Sequence, residues 1–187
     1  MPRHQRKPKG RPIDGWLIID KPSGIGSTDV VNKVKRAYDA QKAGHGGTLD
    51  PLATGLLPIA FGHATKTVPY VMDGTKVYHF TLAFGEARDS DDADGAVIET
   101  SELRPSDEAI RGALGAFTAR VDRFELIARP DADTAIFEVQ SGKGVYMRSL
   151  ARDLARSLGT VGHIAALRRL RVGPFLESHG IPLDRIV

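Results

Sequence analysis

Apolar residues recur along the chain with two rhythms, every second residue in some stretches and every third or fourth in others. Glycines, prolines and polar runs mark the switches between them. Trp16-Leu17-Ile18-Ile19 is an unbroken apolar run bounded by Gly15 and Asp20, the pattern of a short buried strand. Lys21-Pro22-Ser23-Gly24 turns the chain, and Ser27 or Thr28 is placed to cap a helix whose apolar face is Val30, Val31, Val34 and Tyr38. Leu56 to Phe61 predicts a strand and Ala64 to Val71 a helical segment. Lys76 to Phe84 alternates cleanly, with Tyr78, Phe80, Leu82 and Phe84 on one face of a half-buried strand.

Further on, Ser106-Asp107-Glu108 opens a helix carrying Ile110, Leu114 and Phe117. Residues 121–128 and 134–140 read as two strands joined around Pro130-Asp131. Tyr146 to Leu158 is a helix with an apolar stripe of Met147, Leu150, Ala151, Leu154 and Leu158, ended by Gly159, while Arg148, Arg152 and Arg156 recur on another face. Residues 162–175 read as a short helix followed by a strand. There is no regular βαβ repeat and no G-x-G-x-x-G after a strand, which excludes a nucleotide-binding Rossmann layout. The expected class is α+β, a mixed, largely antiparallel sheet with surrounding helices.

With 187 residues, 41% of them hydrophobic and 26% charged, the chain can bury one substantial core. The pattern gives a basic, disordered arm over 1–12 and a single domain over 13–187. No run approaches the ~18 apolar residues of a membrane helix, and the basic N-terminus is not followed by the apolar h-region of a signal peptide. The expectation is a cytoplasmic protein without a membrane partner, by default a monomer. Absence of cysteine removes disulfides, a thiol nucleophile and Cys-based zinc sites, and the six histidines show no H-x-x-x-H pair, so no metal site is expected.

The net charge of +3 is unevenly spread. Residues 1–12 carry Arg3, Arg6, Lys7, Lys9 and Arg11 with no acid, and 143–171 carry Lys143 and six arginines against Asp153 alone. Clusters of this kind suit a phosphate backbone, although a short basic run taken alone is also an ordinary solvated face. The segment EARDSDDAD (86–94) is the opposite, an acidic loop that would turn away from phosphates unless its acids hold arginines.

The most shaped stretch is GHGGTLDPLATGLLP (44–58), where Asp50 sits between glycines and Pro51. Glycine permits backbone approach and positive φ, and proline fixes φ, so this is a loop of defined shape carrying a carboxylate. Asp before Pro is equally a common turn starter. Read singly, Tyr78 and Leu167 are core residues, Arg148 an exposed helix arginine, Asp92 a turn residue, Lys21 a turn lysine and His45 a loop histidine.

That loop, together with DKPSGIGST (20–28) upstream and SGKGVYMRSLARDLA (141–155) downstream, resembles the TruB family of tRNA pseudouridine synthases over about residues 15 to 175. The resemblance implies the pseudouridine synthase fold and isomerisation of a flipped-out uridine to pseudouridine in the T-loop of tRNA, without a cofactor. It makes Asp50 the catalytic carboxylate, Arg148 its guanidinium partner and Tyr78 an active-site residue against the target base. Leu167 would line the base pocket, Asp92 would join the polar network, and His45 would stack where the base leaves. Lys21 would support the loop, and Lys143 would contact RNA. Bacterial members carry an added RNA-gripping thumb segment where only 118–122 stand here, and usually continue into a C-terminal PUA domain that has no counterpart before Val187. A second reading is therefore an RNA-binding or RNA-folding module that keeps the site with little or no turnover. A small-substrate glycosidase lacks a second carboxylate in a matching motif.

Overall fold

A computed structural model of the protein describes residues 7–187; the part of the expected arm at 1–6 lies outside the described residues. The strands are β1 (Gly15–Lys21), β2 (Ala43–His45), β3 (Thr54–Phe61), β4 (Lys76–Phe84), β5 (Glu86–Arg88), β6 (Val97–Thr100), β7 (Arg123–Ala128), β8 (Thr134–Ser141), β9 (Gly162–Val172), β10 (Phe175–Leu176) and β11 (Ile181–Pro182). The helices are α1 (Ser27–Ala37), α2 (Val68–Met72), α3 (Asp107–Leu114) and α4 (Met147–Ser157). One sheet runs β11-β1-β3-β9-β4-β8-β7, with β2 added to β3 and β10 to β9, while β5 and β6 form a separate hairpin. Among the described residues, only the β1–β11 and β3–β9 strand pairs are parallel. The expected α+β architecture with a largely antiparallel sheet is therefore the one present.

Two apolar clusters flank the middle of the sheet. Under α1, Val30 and Val34 pack with Ile19, Leu57 and Ile59. Under α3 and α4, Ile110, Leu150 and Leu154 pack with Phe80, Leu82, Phe137 and Val139. Leu167 of β9 packs against both clusters, so β9 marks their seam. The alternation read in 76–84 holds: Phe80, Leu82 and Phe84 are buried, and Tyr78, further along the same face, is half-buried.

Three local expectations change. Residues 162–172 form one strand, not a helix leading into a strand. They lie between β3 and β4, whose open backbone groups outweigh a modest local helix preference. Ser27 does not cap α1; Gly26 holds that position without a side-chain bond, and the Ser27 hydroxyl turns inward. The helical segment expected at 64–71 is present, as a 3₁₀ helix over Gly62–Thr67 that passes into the short α2. The chain also joins the fold before residue 13, because Arg11 accepts the Gln41 N–H at 3.0 Å and pairs with Ala40.

Candidate active site

The loop between β2 and β3 is fixed residue by residue around Asp50. The Ser27 hydroxyl donates to the Leu49 carbonyl and accepts the Leu49 N–H, each at 2.8 Å. On the other side of Asp50, the Pro51 carbonyl accepts from Gly24 N–H at 2.8 Å and from Lys21 Nζ at 3.2 Å. The Lys21 ammonium also donates to Ile25 at 2.7 Å and Pro22 at 2.8 Å, and the side chain is fully buried. Three carbonyls match the three N–H donors of an ammonium. Burial nevertheless pulls its pKa down to about 8, against the opposing attraction of Asp50. The Asp50 carbonyl accepts Ala53 N–H at 3.0 Å, closing the turn.

With its backbone held, the Asp50 carboxylate points at α4. Arg148 Nε lies 3.3 Å from Asp50 Oδ2, and Arg148 Nη1 lies 3.5 Å from Asp92 Oδ2. Asp92 is buried, and its Oδ1 accepts from the Ser90 hydroxyl at 2.7 Å and from Asp94 N–H at 3.0 Å. One guanidinium thus stands between two carboxylates, the rear one locked by its own turn. A permanently charged, multi-donor group suits this place, since it holds the front carboxylate in one orientation.

The site opens as a cavity of about 210 Å³ lined by Asp50, Tyr78, Arg148 and Leu167, with Thr48 and Tyr146 among its other walls. The acid, the aromatic, the guanidinium and the apolar residue singled out in the sequence therefore meet in one place, with Asp92 behind Arg148 and Lys21 beneath the loop. His45 is not in the cavity wall. It is half-buried at the end of β2, with its Nδ1 facing Gly47 N–H at 3.4 Å. Burial, then the nearby Arg169 charge, lowers its pKa, which favours a neutral ring. Lys143 lies outside the cavity, exposed after β8 and paired with Asp73 at 3.0 Å.

Two residues of the site were not legible as such. Tyr146, 71% exposed at the cavity wall, sits inside the KGVYMR stretch, and its place between Val145 and Met147 gave no sign of which way it faces. Arg169 is 2% exposed and lies behind the loop; as one of several cations in LRRLR it read as surface charge. The arginine stripe of α4 also differs from its sequence reading. Arg152 pairs with Asp91 at 2.9 Å and Asp153 at 3.1 Å, and Arg156 with Glu99 at 3.4 Å. The acidic segment does hold arginines.

A carboxylate fixed on a shaped loop, a guanidinium across from it and a tyrosine from a central strand share one cavity, and the protein's relatives are pseudouridine synthases. Residues 35–126 match the family model described as TruB family pseudouridylate synthase (N terminal domain), and 148–187 match the tRNA pseudouridylate synthase B C-terminal domain. The chain is 65% identical to tRNA pseudouridine synthase B of Gluconacetobacter diazotrophicus, over 97% of this chain and 71% of the relative. It is 53% identical to that of Gluconobacter oxydans, over 95% and 64%. Among solved structures, a chain of the archaeal box H/ACA sRNP Nop10-Cbf5 complex superposes with a TM-score of 0.79 at 31% identity, covering 99% of this chain and 60% of that one. The chain belongs to the TruB family. The first of these alignments runs over 218 positions against a chain of 187 residues, so that relative carries segments this chain lacks.

Proposed function

We propose that the chain isomerises uridine to pseudouridine in RNA, acting as a monomer in the cytoplasm on the T-loop uridine of tRNA. The reaction breaks the N1–C1′ bond, turns the uracil, and joins C5 to C1′; the C5 proton is released and N1 takes one up. Nothing is oxidised, and no cofactor is required. Asp50 faces the anomeric carbon as nucleophile or as the partner of developing positive charge. Arg148 keeps that carboxylate aimed. Tyr78 and Leu167 hold the extruded base, whose removal from the stack is required because a stacked uridine cannot reach a recessed carboxylate. His45, at the end of β2, takes the place the base leaves, and Lys143 contacts the RNA backbone.

The observation that carries this reading is the line Asp50–Arg148–Asp92 along a cavity that also presents Tyr78 and Leu167. The test is incubation with an unmodified tRNA transcript and chemical mapping of pseudouridine at single-nucleotide resolution. A single stop in the T-loop is expected. Asp50→Asn should abolish tritium release from C5-labelled uridine while RNA binding persists. Normal turnover by Asp50→Asn ends this reading, and binding without any product would favour the RNA-binding module.

A further inference from the structure

Arg169 is among the largest side chains the fold buries, and no carboxylate offsets its charge among the described residues. A buried ion of this kind is costly unless its surroundings solvate it. Here the solvation comes from the site itself. The guanidinium donates to the carbonyls of Gly47 at 2.9 Å, Thr48 at 3.3 Å and Leu56 at 3.0 Å, and the Tyr78 hydroxyl lies near enough to favour its charge. β9 aligns Arg169 with Tyr78 of β4 on one side and Gly55 of β3 on the other. Gly47 holds φ +130°, a conformation that favours glycine, and a Cβ there would stand in ordinary contact with Arg169 Nη1 at 3.5 Å. A guanidinium only donates, so a hydrogen bond between the two has the Tyr78 oxygen as acceptor and leaves the tyrosine's own O–H to point elsewhere.

We propose that Arg169 is a positioning residue for the isomerisation, using one buried cation to fix both the Gly47–Thr48 approach to Asp50 and the direction of the Tyr78 hydroxyl. The inference rests on the function proposed above. A lysine keeps the charge but is a compact point donor that cannot span three carbonyls and a hydroxyl.

The experiment compares the parent chain with Arg169→Lys, Tyr78→Phe and their double variant, measuring kcat on the tRNA transcript, RNA affinity and melting temperature. Arg169→Lys should lower kcat on the order of 100-fold with RNA affinity within about 3-fold of the parent, as expected when alignment rather than binding is lost. Because the two residues act through one contact, the double variant should fall little below the worse single variant. Gly47→Ala, which strains the loop backbone at φ +130° beside the guanidinium, should reproduce the kcat loss even if Arg169→Lys folds poorly. Full kcat in Arg169→Lys, losses that multiply with Tyr78→Phe, or a loss confined to RNA affinity overturns the role. An inactive parent chain removes the proposed function together with this role, whereas an active parent with an unaffected Arg169→Lys removes the role alone.

Discussion

The ammonium of Lys21 ties a proton to the shape of the turn around Asp50. Folding lowers its pKa from 10.5 to about 8 because burial disfavours the charge. Between those values the unfolded chain binds the extra proton, so stability contributed at this site rises with pH from about 8 to 10.5 and is lowest, and constant, below pH 8. The unfolding free energy of the parent should therefore gain on that of Lys21→Met between pH 7 and pH 10 in urea titrations; an unchanged difference rules the linkage out. Ser27 gives a pH-independent counterpart. Ser27→Ala leaves the buried N–H and C=O of Leu49 without their partner, which should cost about 1–3 kcal/mol, together with a fall in kcat from a looser Asp50. Parent-like stability in that variant would show that water replaces the hydroxyl. At this scale the sequence exposed Asp50, Tyr78, Arg148 and Leu167 of the cavity wall, because motif context singled them out, but not Tyr146. It did not expose Arg169, because burial of a cation depends on which carbonyls the tertiary fold brings to it.

Among the elements, β9 shows where pattern reading holds and where it stops. β4 was read correctly because one face is buried and the other half-open, so polarity alternates. β9 lies between two strands with register shifts against β4 at Val77/Tyr78 and Thr81/Leu82, and its burial follows no period of two. A bulged strand erases the signal by which strands are recognised. Its contact with β3 covers only Thr54–Arg168 and Gly55–Arg169. Gly55 has φ +105°, and a Cβ there would lie 2.2 Å from the Arg169 carbonyl oxygen. Gly55→Ala should therefore part this two-residue seam, destabilising the chain by about 3 kcal/mol or more, and should disturb Arg169 at the same time. Thermal unfolding measures the first effect and kcat of the folded fraction the second. Parent-like melting would mean that the seam does not hold the two halves of the sheet together.

Over the whole molecule the question is which cations remain for RNA. The sequence places arginines at regular helical spacing on α4, but the fold lays an acidic segment against them, and Arg152 meets Asp91 across 61 residues of chain. Such pairing is invisible to any local reading, and it converts an apparent phosphate track into internal structure. Lys42 and Lys66 differ: both are exposed, both border the groove formed with Pro12 and His63, and neither meets a carboxylate among the described residues. Lys42 immediately precedes β2, which leads to His45, so a strand of RNA reaching the cavity from that side would pass them. Phosphate contacts release counterions, and each one adds roughly 0.7–0.9 to the slope of log affinity against log salt. Lys42→Ala and Lys66→Ala should each lower that slope by about this amount, whereas Arg152→Ala should leave it unchanged, since its charge is already matched. Fluorescence titrations of a tRNA transcript at several salt concentrations decide the point. A full-unit drop for Arg152→Ala would mean that the Asp91 pair opens when RNA binds, and that the α4 stripe serves as a phosphate track after all.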